Sequence, residues 1–156
     1  MDNDNSVVIF NEIYDKYYKK IFAYFKKDFG KEDAEDLAQQ TFLQLWAWIP
    51  NRYAIENKRA LIYQIAKNVK LDKFRKNKLM LETMLIPEDF DPMDRNSFSN
   101  IIDYKMSVYQ LKPKDQNMLL MSLQGYNSKE IGKAFGISPS AVRTRLQKIR
   151  NKLKWF

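Results

Sequence analysis

The run YNSKEIGKAFGISPSAVRTRLQKIRNKL, residues 126–153, decides how this chain is read. It divides into two short helices around a tight turn. Asn127 or Ser128 offers a side-chain oxygen to an orphan backbone N–H at the start of the first helix. Ile131, Ala134 and Phe135 then share one face at helical spacing. Gly136 ends that helix, since glycine tolerates the left-handed conformation of a C-terminal cap. Ser138 caps the second helix, and Pro139 suits its first position, where a missing N–H costs nothing. Val142, Leu146, Ile149 and Leu153 recur at intervals of three and four, a stripe to be buried. Arg143, Thr144, Gln147, Lys148 and Arg150 occupy the opposite face. A helix–turn–helix whose second helix carries cations and hydrogen-bonding groups suits the DNA major groove. An ordinary hairpin with a solvated basic face is the competing reading. The coincidence of caps, proline, glycine, stripe and donors favours DNA.

The whole chain agrees. Its 156 residues permit one or two small domains. Lys and Arg number 27 against 19 Asp and Glu, a formal charge of +8, which points to a polyanionic partner. There is no Cys, so neither disulfides nor thiolate metal sites form. There is no His either, which removes the commonest general base and metal ligand. No apolar run approaches the length of a membrane span, and the polar start MDNDN does not resemble a signal peptide. The expectation is a cytoplasmic protein that is not an enzyme, with no cofactor, no metal and no membrane insertion.

Charge divides the sequence into three. Residues 1–77 hold 14 basic and 11 acidic side chains. Residues 78–100 hold Lys78 and Arg95 against Glu82, Glu88, Asp89, Asp91 and Asp94, with Pro87, Pro92 and the run DRNSFSN. Residues 101–156 hold 11 basic and 3 acidic side chains. With no strand pair in view, the fold class expected is all-α: two small helical domains, 1–77 and 101–156, joined by a flexible acidic linker at 78–100.

In the first domain, Phe10, Ile13, Tyr14, Tyr17, Ile21, Phe25 and Phe29 form a helical stripe expected to be core, with Gly30 ending the helix. A second helix begins near Glu32 or Asp33, whose acids suit the positive end of the helix dipole. Ala34, Leu37, Ala38, Thr41, Phe42, Leu45, Trp46 and Ile49 are expected to face inward, and Pro50 closes it. Asp36, Gln39, Gln40 and Leu43 share its outer face, with Leu43 an apolar residue among polar ones. A docking surface for another protein has this make-up. On spacing alone, a solvated face with one stray Leu is the simpler reading. Glu32, Asp33, Glu35 and Asp36 point around the helix rather than converging, which argues against a hard-cation site. After the polar stretch 51–59, which contains Tyr53, Leu61, Ile62, Ile65, Ala66, Val69 and Phe74 are expected to pack inward. Lys67, Asn68, Lys70, Lys73, Arg75 and Lys76 lie mostly on other sides, where amides and guanidiniums can meet bases and lysines phosphates.

Two segments match a known family. DAEDLAQQTFLQLW (33–46) followed by LIYQIAKNVKLDKFR (61–75) resembles region two of bacterial RNA polymerase sigma factors. LKPKDQNMLLMSLQGYNSKEIGKAFGISPSAVRTRLQKIRNKL (111–153) resembles region four. The joint is too short for a third folded region, so the resemblance is to the extracytoplasmic-function, or ECF, branch. It spans nearly the whole chain, in the family's order.

The resemblance implies a subunit that directs core RNA polymerase to promoters and helps open them. It implies that Asp36, Gln39, Gln40 and Leu43 meet the clamp helices of the β′ subunit, and that region four meets the β flap. Lys67, Asn68 and Arg75 match positions associated with the minus-ten element, and Tyr53 falls where the family captures an unstacked base. Stacking on such a base is worth about 1–3 kcal/mol. Arg143, Thr144 and Gln147 match the base-facing side of the helix that reads the minus-thirty-five element. Ser140, Arg145 and Lys148 would hold phosphates. Promoter DNA would thus be met both double- and single-stranded, and an anti-sigma factor is the family's usual control. The chain departs from the family pattern at Gln40 (often Glu), Leu61 (commonly Trp) and Gly132 (usually Ala). Ala and Gly are both small, so close helix contact at 132 is expected with either. A stand-alone helix–turn–helix regulator is the alternative, and it leaves the region-two pattern unexplained.

Overall fold

A computed structural model describes residues 2–49, 57–84 and 93–153. Among them are seven helices and no strand: α1 (Asp2–Lys26), α2 (Lys31–Trp48), α3 (Lys58–Met84), α4 (Arg95–Tyr109), α5 (Pro113–Leu123), α6 (Ser128–Phe135) and α7 (Pro139–Lys152). The chain divides into two compact units, Met1–Lys73 and Phe74–Phe156.

In the first unit α1 packs along α2. Ile13, Tyr17, Ile21 and Phe25 of α1 are buried, as are Ala34, Leu37, Ala38, Phe42 and Leu45 of α2. Phe29 is fully buried but lies in the turn after α1, and Gly30 is the N-cap of α2 rather than the end of a helix. Thr41 is buried with its hydroxyl donating to the Leu37 carbonyl, which keeps a polar group satisfied inside. The first half of α3 buries Ile62, Ile65, Ala66 and Val69. It is tied to α1 by the Lys58–Glu12 ion pair and to the turn after α1 by Lys70–Asp28, with Lys70 also over the Tyr24 ring.

Of the residues expected inside, Phe10, Leu61 and Phe74 are only half-buried, and two more are exposed. Tyr14 is 39% exposed and Trp46 41%. Both sit on the flank of the α1–α2 seam, where helical spacing brings a side chain near the core without covering it.

The second unit has its own core: Leu81, Val108, Leu111, Met118, Leu119, Leu120, Ile131, Phe135, Val142, Leu146, Ile149 and Leu153. Leu81 belongs to α3, which runs on to Met84, and α4 begins at Arg95. The stretch 78–100 is therefore helical at both ends, while 85–92 lies outside the described residues. α5, α6 and α7 pack on one another.

Local chemistry fixes the α6–α7 angle. Asn127 accepts from the Glu130 amide at 2.8 Å while the Glu130 carboxylate accepts from the Asn127 amide, a capping box. Gly136 closes α6 at φ 72°, ψ 32°, left-handed space where a Cβ is disfavoured. Ser138 Oγ accepts from the Ala141 amide at 3.1 Å, and Pro139 takes the first helical position. The chain after Gly136 folds back so closely that a Cβ on Gly132 would stand 2.6 Å from the Ile137 carbonyl oxygen. The close contact expected of a small residue at 132 is present, but it is tight enough to leave no room for the methyl of Ala. The obstacle is backbone and has no rotamer to escape into.

Candidate nucleic-acid and polymerase interfaces

α7 is amphipathic by construction of its sequence. Val142, Leu146 and Ile149 are buried, and Ser140, Arg143, Thr144, Arg145, Gln147 and Lys148 are all exposed. Among the described residues neither Arg143 nor Lys148 is engaged in an ion pair. Their charge therefore faces solvent, paired with no carboxylate among the described residues. Thr144 Oγ1 donates to the Ser140 carbonyl, and Gln147 Nε2 donates to Asn151 Oδ1 at 3.1 Å. These short-range bonds hold the two polar side chains against the helix and are exchangeable for bonds to a base edge. The whole row stands on one rigid element whose start is capped.

Arg145 differs from its neighbours. Its Nε donates to Asp115 Oδ1 at 2.7 Å, and that carboxylate is only 4% exposed. The expectation treated Arg145 as a phosphate ligand alone; its carboxylate partner on α5 is a contact that sequence reading missed. The signal was present only as an acid at the third position of a helix thirty residues earlier.

In the first unit, Lys67 and Asn68 are exposed on α3, where Gln64 Nε2 donates to Asn68 Oδ1 at 3.3 Å. Arg75 is exposed on the same helix, beyond the division between the units. Tyr53 lies outside the described residues.

On α2, Asp36, Gln39 and Gln40 are exposed, and Leu43 is 69% exposed. Leu43 is not a stray. With Gln39 it lines an open apolar groove of about 480 Å³ against Val7, Phe10, Tyr14, Phe42 and Trp46. The aromatics are mutually ordered: Phe10 and Trp46 meet edge-on at 5.4 Å between centroids, and Tyr14 and Phe42 at 5.0 Å. Edge-to-face pairs of this kind fix ring positions. Contiguous exposed apolar surface beside polar side chains is the make-up of a protein-docking site. Sequence reading found Leu43 and missed the α1 half of the groove, because it assigned Phe10 and Tyr14 to the core.

No helix among the described residues is long and apolar enough to cross a membrane. Among the same residues no group of three or more carboxylates stands close enough to hold a metal ion.

The family model for sigma-70 region 2 matches residues 13–79, and that for sigma-70 region 4 matches residues 107–153. The ferric citrate uptake sigma factor FecI of Escherichia coli is 31% identical over 125 residues, covering 74% of this chain and 71% of its own. The RNA polymerase sigma factor SigZ of Bacillus subtilis is 24% identical over 150 residues, 92% of this chain and 84% of its own. The ECF RNA polymerase sigma factor SigE of Mycolicibacterium smegmatis is 27% identical over 136 residues, 80% of this chain and 52% of its own. Two matches in the family's order disfavour a stand-alone helix–turn–helix regulator. The chain belongs to the sigma-70 family as an ECF sigma factor, a subunit that directs core RNA polymerase to promoters.

Proposed function

We propose that the two units divide promoter recognition between them, and that the chain carries no chemistry of its own. α7 reads the upstream element as duplex, with Arg143, Thr144 and Gln147 toward bases and Ser140 and Lys148 toward phosphates. Arginine suits guanine and glutamine suits adenine, each bidentate pair worth about 1–3 kcal/mol of discrimination. α3 meets the minus-ten element through Lys67, Asn68 and Arg75, with Tyr53 stacking on a base freed from the duplex. Asp36, Gln39, Gln40 and Leu43 bind the β′ clamp helices, and the second unit also meets the β flap. The observation that carries this reading is the α7 face: exposed cations and amides around a fully buried stripe, on a helix whose first turn is capped by Ser138.

Each reading head is small and binds weakly alone. Tethering both to one polymerase raises the effective concentration of the second once the first has bound. An anti-sigma factor that covers these faces is the control that fits such a subunit. Run-off transcription by core polymerase plus this chain, over a randomised promoter library, tests the proposal. Selection of a two-part consensus is expected, with the upstream part lost in Arg143→Ala. Tight sequence-specific binding by the free chain, with no stimulation of polymerase, would refute it.

A further inference from the structure

Three consecutive polar residues in the first half of α5, Asp115, Gln116 and Asn117, are buried. Each reaches a different element. Asp115 holds Arg145 of α7. Gln116 Nε2 donates to the Val108 carbonyl at 3.2 Å and the Leu111 carbonyl at 3.1 Å, where α4 ends. Asn117 Oδ1 accepts from Asn77 Nδ2 of α3. Polar side chains are costly to bury unless hydrogen-bonded, so apolar residues would serve better if cohesion alone were needed. What hydrogen bonds add is direction, since they weaken steeply away from linearity.

α7 needs that direction. Its buried stripe is aliphatic, and hydrophobic attraction is non-directional. A helix with its side chains is about 10–12 Å across, so about 20° of rotation carries a side-chain tip through about 2 Å. That displacement breaks a bidentate contact to a base edge, which tolerates only a few tenths of an ångström. Arg145 immediately precedes the buried Leu146 and lies on the flank of the stripe. A bond from there to a buried carboxylate resists rotation about the helix axis.

We propose that Asp115 is a positioning residue for promoter selection: acting through Arg145, it sets the rotation of α7 and hence the register in which Arg143, Thr144 and Gln147 meet bases. Arg145 serves this tie rather than a DNA phosphate. The inference rests on the reading of α7 as the upstream-element helix.

The test uses holoenzyme reconstituted from core polymerase and the full chain, on promoter duplexes selected by the wild type. Asp115→Asn and Arg145→Gln are each expected to lower upstream-element affinity roughly tenfold, and the double variant to lose no more than either, as for coupled neighbours. The dependence of log affinity on log salt concentration is expected to keep its slope in Arg145→Gln; a lost phosphate contact would lower it by about 0.9. The apolar pair Asp115→Leu with Arg145→Met removes the exposed cation together with the buried carboxylate it partners, so no buried charge is left unpaired and the unit is expected to stay folded in thermal unfolding. It is nevertheless expected to show flattened base preference at the upstream element. That pair carries the test if Asp115→Asn unfolds the unit. A folded apolar pair with wild-type base preference overturns the positioning role, as does a slope loss of about 0.9 in Arg145→Gln. Arg143→Ala separates the two layers. If it leaves base preference intact, the reading of α7 itself has failed; if it flattens preference while the Asp115 variants are silent, only the positioning role has.

Discussion

Replacing Gly132 by Ala sets two physical effects against each other, and the structure decides the sign. Gly132 lies inside α6, where Ala is favoured over Gly by about 1 kcal/mol. On propensity alone the substitution stabilises. The added methyl, however, would stand 2.6 Å from the Ile137 carbonyl oxygen and 3.4 Å from Pro139 N and the Ser138 carbonyl carbon. The turn must retreat by about 0.8 Å before the first of these becomes an ordinary van der Waals contact. It is held in place by the Ile137 amide, which donates to the Gly132 carbonyl at 2.9 Å. Forcing a methyl into a packed site of this kind costs about 1–3 kcal/mol. The expected net effect is destabilisation by about 1 kcal/mol, or about 4–8 °C in the melting of a unit this size. Because two units need not unfold together, the assay is hydrogen exchange at the Val142 and Ile149 amides. Lys133→Ala, on the exposed side of the same helix, is the control and is expected to change little. Gly132→Ala protein whose α7 amides are better protected by about 1 kcal/mol would refute the steric argument and leave propensity in charge.

Three further outcomes are expected. Asp36→Ala weakens assembly with core polymerase, measured by co-sedimentation, and leaves upstream-element selection intact once holoenzyme is formed; Arg143→Ala does the reverse. Leu43→Lys, at an exposed position, changes stability by no more than about 0.5 kcal/mol, yet lowers core affinity in competition with the wild type, because it places a charge in the apolar groove. Asn127→Ala removes the α6 cap and costs about 1 kcal/mol, read as earlier unfolding in denaturant with the slope unchanged.

The helix–turn–helix was legible because its determinants are local. Asn127, Gly136, Ser138 and Pro139 act within one or two turns, and the stripe from Val142 to Leu153 repeats on one helix. Depth was less legible than direction. Periodicity places Tyr14 and Trp46 toward the α1–α2 seam, but only the packed pair shows that the seam stays open there as a groove. The Asp115–Arg145 bond was not legible at all: its partners are 30 residues apart, and three buried polar residues in a row carry no period. Gly132 is similar, since the atom that excludes a methyl belongs to the backbone beyond a turn.

The reach of α3 into the second core bears on how such proteins can be cut and recombined. A fragment begun at residue 101, where the charge pattern invites the incision, would omit Asn77 and Leu81. Leu81 is fully buried, so its loss alone removes about 1.5–3 kcal/mol of apolar burial from the remaining piece. Chimaeras meant to exchange upstream specificity between paralogues need their junction before Phe74, so that the donor's own buttress travels with its recognition helix.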